Sequence, residues 1–86
     1  MRAEAVEAIA RIGTSADVAT VIERALRDSS ADVRTAGVDA VVSRGDAVHP
    51  KSELVARLEP LLVDSSSSVR TAAKDALRAL GVTRRN

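Results

Sequence analysis

Apolar residues recur at steps of three and four along most of the chain, in five blocks. The first is Met1, Ala5, Ala8, Ile9 and Ile12. The second is Val18, Ile22, Ala25 and Leu26, and the third is Val33, Ala36, Gly37, Ala40 and Val41. The fourth is Leu54, Leu58, Leu61 and Leu62, and the fifth is Val69, Ala72, Ala73, Ala76, Leu77 and Leu80. This spacing lines up side chains on one face of an α-helix, so the pattern predicts five helices over roughly 1–12, 15–27, 31–43, 51–63 and 67–80. Gly13, Gly45 and Gly81 each follow the last periodic residue of a block, where a left-handed C-terminal cap favours glycine. Thr14 or Ser15 is placed to cap the second helix, and Asp17 suits its positive end. Pro50 fits a first helical turn. Pro60 falls inside a stripe, so the fourth helix is expected to kink or end early there.

The blocks repeat. "DSSADVRTAGVDAVVSRG" starts at Asp28 and "DSSSSVRTAAKDALRALG" at Asp64, and Val-Arg-Thr-Ala occupies the same place in both. Upstream, Arg2, Ala8, Ile9 and Gly13 fall in register with Arg34, Ala40, Val41 and Gly45. The offsets of 32 and 36 residues lie in the range of helical solenoid repeats. The four extra residues of the longer period fit the loop between Gly45 and Leu54. One domain is therefore expected: a half repeat over 1–13, repeats over 14–45 and 46–81, and a tail over 82–86. About two and a half repeats fall short of the roughly three that usually make such an array stable. A fragment of a longer array is expected, or a unit that stacks on itself or on a partner.

Composition narrows this picture. Of the 86 residues 45% are hydrophobic, yet there is no Phe, Tyr or Trp. The core must be built from Ala, Val, Leu and Ile, which suits closely packed helices. Absence of cysteine excludes disulfides and thiolate metal sites. A net charge of +1 leaves no electrostatic footprint for nucleic acid or an anionic membrane. No apolar run approaches the roughly 18–20 residues of a membrane span. The opening "MRAEAVEAIA" carries acids, unlike a signal peptide, so the expected location is the cytoplasm.

Leu-x-Asp, five intervening residues, Arg, Ala-x-x-x-Ala and a terminal Gly together resemble a HEAT repeat, most closely the short, phycobilisome-lyase type. The pattern is carried by Leu26, Asp28, Val33, Arg34, Ala36, Ala40 and Gly45, and again by Leu62, Asp64, Val69, Arg70, Ala72, Ala76, Leu77 and Gly81. The resemblance implies an all-α fold, a right-handed α-α superhelix or HEAT-like solenoid, that hosts many functions on one scaffold. It implies an inter-repeat ladder built from the acid ending each first helix and the arginine opening each second helix. Asp28 with Arg34, and Asp64 with Arg70, match that spacing. The physics agrees, because an arginine fork can tie a carboxylate or loop carbonyls across stacked turns. The resemblance further implies that the second helices line a concave binding face.

The candidate chemistry is sparse. Ser65–Ser68 reads either as a phosphorylated or anion-binding stretch or as a loop with a helix N-cap. Ser29 and Ser30 hold the same repeat position, which favours capping. His49 is the sole histidine. No second histidine or adjacent His-Glu pair accompanies it, so neither a metal site nor a Ser-His-Asp triad is supported. The iron-dependent hydroxylation known in some HEAT-like proteins does not carry over. The four glycines are isolated, which leaves no phosphate-cradling loop.

Glu7, Asp39 and Asp75 occupy one position in successive second helices. Stacked helices lie roughly 8–10 Å apart, too far for the three carboxylates to share a metal. Val6, Val38 and Val42 lie beside them and are expected to face outward. Valines rimmed by acids make a candidate partner-binding surface; the alternative is ordinary solvated helix positions. On the same face Lys74 and Arg78 oppose the acids, and the cluster Arg78, Arg84 and Arg85 is local to the end of the chain. With no aromatic ring to stack bases, nucleic-acid binding is the weakest reading. The expected function is a non-catalytic protein-interaction or scaffold module with no cofactor. Its partner is another protein, with self-association through apolar stripes on the end helices. The alternative is an accessory subunit that holds a cofactor for a lyase-type enzyme.

Overall fold

A computed structural model describes residues 2–44 and 50–81. Its helices follow the apolar periodicity: α1 Ala3–Ile12, α2 Ser15–Ala25, α3 Ala31–Arg44, α4 Lys51–Leu58 and α5 Ser67–Ala79. Among the described residues there is no strand. The helices form an α-α superhelix in two layers. α1, α3 and α5 stack side by side, with α2 and α4 behind them.

Pro60 acts as expected. α4 stops at Leu58 and continues as a 3-10 helix over Glu59–Val63, with the proline in its first turn. A ring without an amide proton is tolerated there because early helical N–H groups have no intrahelical partner. The tighter turn still buries Leu61 and leaves Val63 84% exposed.

Helix ends show which polar groups do the capping. Thr14 Oγ1 accepts the Asp17 amide at 3.2 Å, as the sequence predicts. The serines behave otherwise. Ser66 is the N-cap residue of α5, but its side chain makes no capping bond. The Asp64 carboxylate accepts the Ser66 amide at 2.9 Å, and Asp28 accepts the Ser30 amide at 2.8 Å. An aspartate two residues upstream thus closes each turn, as short acidic side chains readily do. Gly81 has the predicted positive φ, 84°. Gly13 does not; it is extended, at φ −74°. Its lack of a side chain is needed for space, since a Cβ there would lie 2.6 Å from the Ile9 carbonyl oxygen. Gly45 lies outside the described residues, as do Met1, His49, Arg84 and Arg85.

Aliphatic side chains alone build the core. Ile22, Leu54, Leu58, Val6, Val18, Val38, Val41 and Val69 are its largest fully buried members, and no described polar or charged residue is buried. Fully burying one such side chain contributes about 1.5–3 kcal/mol. The layers approach closely at Gly37, where a Cβ would meet the Ala25 Cβ at 2.8 Å.

Two expectations about the core need correction. In α1 the buried residues are Val6 and Ala10, not the Ala5, Ala8, Ile9 and Ile12 stripe. Ala8 and Ile9 are half-buried, Ala5 is exposed, and Ile12 is 84% exposed. The reason is which neighbours α1 has. It packs against α3 and α2, and these cover Val6 and Ala10 rather than the whole of the periodic stripe. Second, Val6 and Val38 do not face outward. They are 0% and 1% exposed, because each lies on the flank of a second helix that the next second helix covers. α3, clasped by α1, α2 and α5, therefore buries Val33, Ala36, Gly37, Val38, Ala40 and Val41.

Candidate functional site

Between α3 and α5 runs an open groove of about 850 Å³. Asp39 and Val42 line it from α3; Ser67, Ser68, Thr71, Ala72, Asp75, Ala76 and Ala79 line it from α5. The α5 wall of the groove is built largely of small residues. Ala72, Ala76 and Ala79 leave space that longer side chains would fill. Val42 is 47% exposed there, so an apolar strip lies between two carboxylates.

Three of the six residues expected at a binding surface meet in this groove: Asp39, Val42 and Asp75. Glu7 stands beside them on α1, exposed and close enough for its charge to act on Asp39. The Asp39 carboxyl is pushed above the usual carboxylate range, first by partial burial and second by the like charge of Glu7. Asp75 forms an exposed pair with Arg78, at 3.8 Å. Val6 and Val38 are excluded from the surface by burial. Ser67 and Ser68, singled out in the sequence as part of the Ser65–Ser68 stretch, and Thr71, which was not, add hydroxyls to the α5 wall.

Among the described residues, no hydrogen bond joins a groove hydroxyl to Asp39 or Asp75. No cluster of three or more metal-ligating side chains occurs among them, and no described helix is long and apolar enough to cross a membrane.

The ladder residues sit behind this face and hold the stack together. Arg34 donates through Nε and one amino group to the two oxygens of Asp64, both at 3.0 Å. Its other amino group donates to the carbonyls of Asp28 and Ser29, at 2.8 and 3.0 Å. One guanidinium thereby ties its own turn to the next repeat, with the two side chains only 14% and 11% exposed. Arg34 holds the Asp64 carboxyl below its ordinary range, helped by the Ser66 amide. Arg70 repeats the first half of the arrangement, donating to the Asp64 carbonyl at 2.7 Å. Two further ties escaped the sequence reading. Arg44 reaches the carbonyls of Ala10 and Gly13 at 2.8 and 3.4 Å, which closes the end of α1. Arg57 pairs with Glu23 across α2 and α4. A lone arginine at a position that is Ile12 and Leu80 in the other units was the signal for Arg44.

The chain matches the family described as the HEAT repeat associated with sister chromatid cohesion, over residues 6–41 and 60–77. It belongs to the HEAT-repeat family. The unmatched stretch between these segments contains the four-residue lengthening of the second repeat. No curated protein and no solved structure matches the chain. HEAT repeats are typically protein-interaction scaffolds, and the stacked layers and inter-repeat arginine fit that architecture.

Proposed function

We propose that this HEAT-repeat chain is a non-catalytic protein-interaction module whose contact face is the α1–α3–α5 layer. Glu7, Asp39, Val42 and Asp75 carry the contact. The observation that supports this reading is the α3–α5 groove, where a half-exposed valine and three alanines lie between carboxylates. An apolar floor supplies affinity and charged rims supply register and selectivity. The domain is read as one unit, with a half repeat over 1–13, repeats over 14–45 and 46–81 and a tail over 82–86, as part of a larger assembly. Self-association belongs to the same reading, but through one end only. α1 exposes Ile12, whereas the outer flank of α5 is charged.

The test compares partners captured from native lysate by the wild-type chain and by Asp39→Lys/Val42→Glu. Loss of a defined set of partners in the variant is the expected result. An unchanged set would sink the assignment of this face.

The groove also supports a second reading, an accessory subunit of the phycobilisome-lyase type that holds a cofactor. Its volume suits a small organic group. A coloured or mass-detectable ligand that copurifies with the chain would favour that reading.

A further inference from the structure

The repeat register makes a second surface visible. Arg2, Val6 and Ala10 of α1 correspond to Arg34, Val38 and Val42 of α3, and to Arg70, Lys74 and Arg78 of α5. Steps of four put each trio along one flank of its helix. On α1 that flank is covered, with Val6 and Ala10 buried. On α3 it faces α5, which buries Val38. On α5 the same flank is exposed and wholly cationic. It lies across the helix from the groove residues Ala72 and Ala76, with Thr71 and Asp75 between.

We propose that this flank of α5 docks a helical segment that carries carboxylates. The chain shows the chemistry in its own interior. Arg34 uses one amino group on loop carbonyls and closes the rest of its fork on the two oxygens of Asp64. Arg70 makes the carbonyl half of that arrangement, at 2.7 Å. Among the described residues, no carboxylate closes the rest of its fork. The Asp64 carbonyl thus holds one end of Arg70, and an incoming aspartate or glutamate would close the rest of the fork as Asp64 does for Arg34. Lys74 and Arg78 extend the cationic line by about 6 Å per step, the same step that separates acids four apart on a partner helix.

A helix fits better than nucleic acid. The cationic line is one helix wide, and the row of Asp75, Asp39 and Glu7 runs along the next face of the stack. A duplex, broader than a helix, would bring its phosphates over those carboxylates. The Arg78–Asp75 pair is solvent-exposed and long, at 3.8 Å; such pairs are weak and compete little.

The probe is a fluorescein-labelled, alanine-rich helical peptide with glutamate at every fourth position, read by anisotropy at low salt. Its glutamine twin and a short DNA duplex are measured beside it. We expect the glutamate peptide alone to bind, more weakly as salt rises. Lys74→Glu/Arg78→Glu should lose about tenfold or more in affinity. Arg70→Lys, which keeps charge but loses the fork, should lose about threefold. All three positions are exposed, and circular dichroism confirms that the variants fold. The groove variant Asp39→Lys/Val42→Glu should bind the peptide at least as tightly as wild type, which separates this surface from the groove. The proposal is overturned if the glutamine twin binds equally, if the duplex binds more tightly than the glutamate peptide, if nothing binds, or if the charge-reversed variant binds unchanged.

Discussion

α3 and α5 are nearly the same sequence in different places. Ser-x-x-Val-Arg-Thr-Ala opens both, from Ser30 and from Ser66, and Asp39 of one matches Asp75 of the other. α3 lies inside the stack and has neighbours on three sides; α5 has them on two. Position 38 is a buried valine in one, and its counterpart is an exposed Lys74 in the other. Arg34 is clasped by a carboxylate, whereas Arg70 is held at one end only. The motif sets what a residue is able to do, and the neighbouring repeat decides whether it does it.

The sharpest way to break the comparison is to exchange the two residues. Val38→Lys puts an ammonium on a flank with 1% exposure. The stem must either part α3 from α5 or carry its charge into an aliphatic core. The expected loss is about 3 kcal/mol or more, from the packing and desolvation terms together. Lys74→Val, at an exposed position, should change stability by no more than about 0.5 kcal/mol. Urea unfolding followed by circular dichroism measures both. Equal effects would mean that the α3–α5 contact does not form as described.

The next effect in size separates the two arginines. Arg34→Ala removes four hydrogen bonds and leaves Asp64 facing an aliphatic stack. A melting temperature lower by roughly 10 °C is expected at neutral pH. Arg70→Ala, which removes one exposed bond, should cost well under half of that. Acid distinguishes the mechanism. Arg34 lowers the folded-state pKa of Asp64, so the contribution of the pair is present above the ordinary carboxylate pKa of about 4. It is lost as pH falls through the depressed folded value. Wild type should therefore lose more stability than Arg34→Ala on acidification, and the two melting curves should converge.

This contrast explains how much the sequence disclosed. Helix positions, the two-layer architecture and the break at Pro60 follow from local rules: periodicity, caps and a missing amide proton. Those rules act within one helix, so one helix suffices to read them. Val6 and Val38 needed more. A single apolar stripe per helix is the signature of a helix covered on one side; α3 is covered by α1, α2 and α5, and α1 is covered by α3 on a flank its stripe does not mark. Their second apolar flank looked like a surface patch. The ladder was recognisable as a pairing of types, Asp with Arg. Its register, Arg34 to Asp64 rather than only within one turn, depends on how far neighbouring repeats slide. The groove was half visible, because Asp39, Val42 and Asp75 share a face. Ser67, Ser68 and Thr71 join it only because α5 packs beside α3.

The smallest effect tests the electrostatics of that groove, again with α5 as the reference. Asp39 is partly buried and feels Glu7, and both raise its pKa. A raised carboxyl pKa means that the charged form is less favourable in the folded chain than in the unfolded one. At neutral pH Asp39 therefore costs stability, and protonation relieves the cost as pH falls through the raised value. Asp39→Asn should raise the melting temperature by about 1–2 °C at pH 7, and the gain should vanish in acid. Asp75→Asn removes the partner of Arg78 from an exposed pair and should bring no such gain. If Asp39→Asn is neutral at pH 7, or if its gain persists in acid, the carboxyl is not strained by its surroundings. The groove would then lack the unsatisfied charge that makes Asp39 a contact for a cationic partner group.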